Sequence, residues 1–320
     1  MIFFPQRPAL RLTPHGFSPS VLGKILKASA REPSFQEAAE ALDELAEVTL
    51  SSRQVTRLAE EVGHELEARR DQQTRDFQER RLDPAVTTRP ALAVVEVDGG
   101  RLQIREAGEG PGAHQAAWRE DKVALLATAA LTTVDADPEP ELPACFRDPA
   151  TVEKLVREVG GVGPLGTWTP PSPSVPEAPP LRIFPHETDP PPATTDASPP
   201  KTEDSKSHAP EFLVRTFVAS ACDSERVGPM VAAEAHRRNF PAAARGAFVG
   251  DGGAWIWKLQ RQYFPGFQAI VDFVHVVGYL FAAARAAVAE PQARWELFQA
   301  WAQWCWQGQV TAVLDQLRGL

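Results

Sequence analysis

The chain has 320 residues, 43% of them hydrophobic, enough for one sizeable core plus an accessory domain. Its net charge of −9 argues at first against a nucleic-acid partner, but 14 acidic and 6 basic residues lie between Asp135 and Glu211. That segment carries −8 and leaves −1 for the rest, so a local basic surface is compatible with composition but not required by it. Cys145, Cys222 and Cys305 form no Cys-x-x-Cys pair, which excludes a zinc ribbon or a disulfide scaffold and fits a reducing cytosol.

At the N-terminus, Pro5, Arg7, Pro8 and Arg11 interrupt the apolar Met1–Phe4 before a signal-peptide core can form, and the expectation is a soluble, cytoplasmic protein. Residues 1–88 are expected to be helical. Ser34-Phe35-Gln36-Glu37 and Ser51-Ser52-Arg53-Gln54 are capping-box patterns. Phe35, Ala38, Leu42 and Leu45 follow the first at helical spacing, and Val55, Leu58, Val62 and Leu66 follow the second. Two short capped helices joined by a turn make a helix-turn-helix candidate, whose second helix offers Arg53, Gln54 and Arg57 to DNA. An ordinary helical hairpin has the same pattern. The arginine-rich stretch to Arg81 reads as a solvated arm continuing the helix.

After Pro90, Ala91 to Val97 predicts a buried strand, Asp98-Gly99-Gly100 a tight turn, and Arg101 to Glu106 the return of a hairpin. Lys122 to Thr132 predicts a third strand. Residues 135–211 predict a largely disordered insertion, since 14 of the 30 prolines lie between Pro164 and Pro210; a short helix is expected at Thr151–Glu158. Strand and helix then alternate: a strand at Phe212–Ala221, a helix at Glu225–Arg238, a strand ending at Gly250, a helix at Ala254–Tyr263, a strand at Phe267–Asp272 and a helix at Val274–Ala289. His275 and Arg285 interrupt the last of these, which is too short to span a bilayer. A Trp-rich helical tail closes the chain. The expected class is α/β, with residues 89–134 and 212–290 forming a mixed sheet with flanking helices and residues 291–320 a separate helical segment.

Two Asp-Gly-Gly sequences thus follow two apolar strands. If those strands are neighbours, Asp98 and Asp251 meet at one end of the sheet. Paired carboxylates suit Mg2+ or Mn2+, hard cations that take oxygen ligands. Each Asp-Gly is equally an ordinary turn. Asp272 ends the next strand and reaches the same edge. His275 starts the following helix as a ligand, a base or a cap. Nothing in the sequence reads as a nucleophile elbow, a P-loop or a dinucleotide-binding fingerprint.

Val97-Asp98-Gly99-Gly100, Trp118-Arg119-Glu120-Asp121-Lys122-Val123, Gly250-Asp251-Gly252-Gly253-Ala254-Trp255-Ile256-Trp257 and Asp272-Phe273-Val274-His275 occur in that order. Together they resemble DDE transposases of bacterial insertion sequences, especially the ISKra-type group, over most of the chain outside the Pro-rich stretch. The resemblance implies a ribonuclease H-like fold and a Mg2+ (or Mn2+) site in which Asp98 and Asp251 are the first two catalytic acids. Asp272 and His275 would support it from outside the metal triad. It further implies cleavage and strand transfer at insertion-sequence ends, with double-stranded DNA as partner and a homodimer on paired ends. The third acid, a Glu on a later helix, has no clear counterpart, because Glu290 and Glu296 fall in what reads as the start of a helical insertion, as in a C-terminally truncated transposase. Two alternatives stand beside this expectation: a DNA-binding protein without catalysis, and a ribonuclease H-like nuclease of another role.

Overall fold

The fold is described from a computed structural model, which covers residues 12–13, 15–104, 117–159 and 210–319 in two units, Met1–Leu82 and Asp83–Leu320.

Among the described residues the first unit holds three helices, α1 (Pro19–Arg31), α2 (Phe35–Ala46) and α3 (Ser52–Gln78). Serine starts each one. The hydroxyls of Ser18, Ser34 and Ser51 accept from the amides of Val21, Glu37 and Gln54, satisfying groups that a helix N-terminus leaves free. Ile25, Ala38, Ala39, Leu42, Val55 and Leu58 form the core. The expected apolar faces run longer than this core. Phe35 and Leu66 are exposed, and Leu45 is 82% exposed. Ile25 of α1 supplies what the two-helix pattern lacked. At 27 residues, about 40 Å, α3 is twice as long as either neighbour, so its later turns find no partner in this core.

The second unit is built on a five-stranded sheet of order β3-β2-β1-β4-β5, formed by β1 (Leu92–Ile104), β2 (Ala117–Ala129), β3 (Phe212–Ser220), β4 (Arg245–Gly250) and β5 (Gln268–Val271). β1, β2 and β3 are antiparallel; β1, β4 and β5 are parallel. This is the mixed sheet with flanking helices that alternation implied. The tight turn expected at Asp98-Gly99-Gly100 is absent: β1 runs straight through it, with Asp98 opposite Val123 and Gly100 opposite Asp121. An Asp-Gly pair marks a hairpin only when the flanking segments pair with each other. Here both flanks pair with β2. Glycine suits position 100 because a Cβ there would lie 2.7 Å from Asp121 Oδ1. Arg101–Ile104, expected as the return of the hairpin, continue β1, and residues 105–116 lie outside the described residues.

One sheet face is covered by α5 (Ser224–Arg237) and α6 (Ala254–Tyr263). Ala93, Val95, Val97, Leu126 and Phe248 meet Val227, Met230, Val231, Ile256 and Leu259 there. Arg238, buried just past α5, donates to the Leu126 and Val214 carbonyls and to Thr216 Oγ1, tying helix end to β2 and β3.

A second core joins α4 (Pro149–Glu158), α7 (Phe273–Ala287), α8 (Pro291–Trp306) and α9 (Val310–Arg318), with Val152, Val277, Leu280, Phe298, Trp301 and Val313 buried in it. The segment expected to be largely disordered therefore begins as ordered chain. Leu142 and Phe146 are buried in this core, and Trp306 Nε1 donates to the Glu139 carbonyl. Apolar residues interleaved with the acidic ones outweigh the composition before Val159. The proline-dense part, 160–209, lies outside the described residues. Residues 291–318 share one core with α7 instead of standing apart. Among the described residues no helix is long and apolar enough to cross a membrane.

Phe248 is fully buried and its ring makes tilted contacts with Trp257 and Phe264. Phe248→Ala is expected to cost the second unit about 3–5 kcal/mol, measured by urea unfolding; a loss below about 1 kcal/mol would show that this core tolerates a void at its centre.

Candidate metal centre at the ends of β1 and β4

Of three parallel neighbouring strands, β4 and β5 end at one sheet edge and β1 passes it, and the C-terminal edge of parallel strands is where a ligand site of an α/β sheet is commonly found. Asp98 lies on β1, one residue beyond the Val97–Gly250 pair, and Asp251 follows β4 directly. Asp272 follows β5 and caps α7, and His275 sits in the first turn of that helix. The side chains of Asp98, Asp251 and His275 each offer a ligand atom, and these atoms all lie within 4.8 Å of one another.

Local hydrogen bonds aim the groups. Asp98 Oδ1 accepts from the Gly99 amide and Asp251 Oδ1 from the Gly253 amide, both at 2.7 Å. Gly252 between them takes φ +100°, a conformation glycine adopts without penalty, so the chain folds back over the Asp251 carboxylate. Asp272 Oδ1 accepts from the Val274 amide at 3.0 Å, while Oδ2 pairs with His275 Nδ1 at 2.9 Å. On the other side of β1, the Lys122 ammonium lies 5.5 Å from the Trp255 ring centroid and 3.3 Å from Glu120, bracing α6 against the strand ends.

The electrostatics follow from crowding. Asp98 reaches solvent, yet desolvation of its carboxyl, aided by Asp251 and Asp272, raises its pKa against the Gly99 amide and the His275 imidazole. Burial is the largest influence on Asp272 and acts upward, but the bonds from His275 and Val274 together outweigh it and hold the carboxyl below 3.8. The bond to Asp272 raises His275 above 6.5 in spite of burial. Glu96 is a further acid that sequence reasoning missed. It shares Asp98's face of β1, and desolvation, then Asp272 and Asp98, raise its pKa. Its signal was its parity: an ionisable side chain two residues before Asp98 in an otherwise apolar strand.

The donor set fits a divalent cation. Two carboxylates each have one oxygen held by a backbone amide, and an imidazole beside them is fixed through Nδ1 by Asp272. Glu290 and Glu296 stand apart from this group: Glu290 caps α8 by accepting from Gln292 and Ala293, and Glu296 accepts from the Gln292 side chain.

Arg53, Gln54 and Arg57 belong to the first unit, all exposed in the first turns of α3. Gln54 is already engaged, its Oε1 accepting from the Ser51 amide and hydroxyl at 2.9 Å each. No protein-family model matches the chain, and no curated protein matches it.

The Asp272–His275 pair gives a pH signature. Its stabilisation is complete between pH 3.8 and 6.5; it is lost on the alkaline side as His275 deprotonates through its raised pKa, and on the acid side as Asp272 protonates through its depressed one. In chelator-treated protein, Asp272→Asn is expected to bring the His275 titration down, followed by imidazole NMR shifts. An unchanged midpoint would mean that Asp272 does not hold the imidazole.

Proposed function

We propose that this chain performs metal-dependent phosphodiester chemistry on double-stranded DNA as a DDE transposase-like protein, acting at insertion-sequence ends in the cytoplasm. The observation that carries the reading is the meeting of Asp98 and Asp251, from adjacent parallel strands, within ligating distance of a common point. The four ordered sequence blocks that resemble ISKra-type transposases converge on this edge, and the finer assignment of the sheet as ribonuclease H-like belongs to the same proposal.

Asp98 and Asp251 would hold Mg2+ or Mn2+. When bound, such an ion supplies activation of water and stabilisation of the leaving oxygen of a phosphodiester. Gly252 and Gly253 keep the approach to Asp251 free of side-chain bulk. Asp272 orients His275 at the margin of the site. Arg53 and Arg57 would contact DNA from the start of α3, with Gln54 serving mainly as its cap. The reactions implied are cleavage by water and then attack by the freed 3′ hydroxyl, on DNA ends paired by a homodimer.

One observation favours a second reading, a DNA-binding protein without catalysis: among the described residues, the third group in reach of both Asp98 and Asp251 is an imidazole and not a carboxylate. A single assay separates the two. The chain is incubated with DNA carrying the element's ends and Mg2+ or Mn2+. Cleavage reduced at least about 10–100-fold by Asp251→Asn or Asp98→Asn supports the transposase reading. Cleavage indifferent to both substitutions removes it, and DNA binding with no cleavage in the wild type favours the second reading.

For the first unit, Arg57→Ala is expected to weaken DNA binding by about 1–3 kcal/mol if it reads a base, or to lower the salt slope by about 1 if it meets a phosphate, with fluorescence anisotropy across a salt series as the measure. Unchanged affinity and slope would take Arg57 out of the interface.

A further inference from the structure

We infer that His275 is the third ligand of the centre, held in place by Asp272, and that the centre is thereby matched to a first-row transition ion such as Mn2+ in preference to Mg2+. This rests on the reading of Asp98 and Asp251 as metal ligands, and adds to it the identity of the third donor and the class of ion.

Reach comes first: a His275 nitrogen lies within 4.8 Å of a carboxylate oxygen of both Asp98 and Asp251. Orientation comes second. Nδ1 is engaged by Asp272 Oδ2 at 2.9 Å, which leaves Nε2 as the ligating nitrogen, and Asp272 is itself fixed by the Val274 amide. A carboxylate bonded to the far nitrogen of an imidazole is the arrangement that fixes ring and tautomer in metal centres and raises ligand basicity. Backbone support is third. Beyond His275 on the same helix, Val277, Leu280 and Ala284 of α7 are buried in the helical core, so the residue stands on a packed element and not on a loop.

The available alternatives are otherwise occupied. Glu290 caps α8, Glu296 is bonded to Gln292, and Glu96 lies outside the group of ligand atoms that meet. Ligand chemistry then sets the ion. Mg2+ demands oxygen donors and keeps its waters, whereas an imidazole beside two carboxylates suits transition ions that accept both nitrogen and oxygen.

The experiment uses the full chain, stripped with chelator and loaded with Mn2+, in a pulsed electron-paramagnetic-resonance measurement that detects nitrogen bonded to manganese. Protein labelled with 15N-histidine is compared with unlabelled protein. The expected result is a histidine nitrogen coupling that changes with the label and vanishes in His275→Gln, with circular dichroism verifying that the variant is folded. Mn2+ affinity should fall about 10–100-fold in Asp272→Asn, and Mg2+ should displace Mn2+ from that variant at correspondingly lower concentration. The labelled wild type reads histidine ligation even if His275→Gln fails to fold. Mn2+ bound in an Asp251-dependent way without histidine coupling overturns the inference and leaves the two-carboxylate centre standing. Coupling that persists in folded His275→Gln also overturns it. Absence of any Mn2+ uptake sensitive to Asp98 and Asp251 overturns both.

Discussion

The parallel pairing of β1 with β4, Val97 opposite Gly250, sets the position of everything at the candidate centre. Two carboxylates do not approach one another unaided, because each raises the cost of ionising the other. What holds them is a sheet whose register is fixed by burial: Val95, Val97 and Phe248 face one core, and a slip of one residue would turn them to the opposite side. The core on one face thus stabilises a concentration of negative charge at the edge. Desolvation at that edge, with the neighbouring carboxylates adding to it, raises the pKa values of Asp98 and Glu96.

The helix α7 does two jobs with one periodicity. Its N-terminal turn presents Asp272 and His275 to the sheet edge, and its later turns bury Val277, Leu280 and Ala284 against α4, α8 and α9. The second core is therefore not an appendage. Trp301, fully buried, and Phe298 stand behind the helix that aims the imidazole, and Trp301 also reaches Gln316 of α9 through its indole nitrogen. The residues after Asp135 join this support, so the acidic segment contributes order where its apolar positions allow.

Much of this was legible in the sequence, and the failures have physical reasons. Strand and helix after Phe212 follow from hydrophobic period alone, and the buried positions Val227, Met230, Val231 and Ala235 of α5 agree with it. Asp251 and Asp272 were expected at strand ends and directly follow β4 and β5, His275 was expected at the start of a helix and lies in the first turn of α7, whereas Asp98, expected at a strand end, lies within β1. Asp98-Gly99-Gly100 was misread because a turn signal is local, whereas its partners on β2, Asp121 to Val123, lie more than 20 residues away and supply the pairing that keeps the strand extended. Ile25 was missed because packing of a third helix is not written in the pattern of the other two. Glu96 was passed over because Ala91 to Val97 was read as one buried apolar run, while Val95 and Val97 face the core and Glu96, between them, points to the opposite face. The identity of the third ligand-bearing group depended on three-dimensional reach, which spacing along the chain does not encode.

Because β1 does not turn at Asp98, it continues with β2 past the ends of β3 and β4. Among the described residues Gly100–Ile104 and Ala117–Asp121 pair with each other and with no third strand, so a two-stranded ribbon projects about 17 Å beyond the carboxylates. The centre consequently lies at the foot of a ledge and not on an open rim. Leu102 and Trp118 stand exposed along that ledge. A long, stiff molecule reaching Asp98 and Asp251 would be flanked by the ribbon on one side, and the direction from which it can be laid down is set by the same uninterrupted strand that carries the first acid.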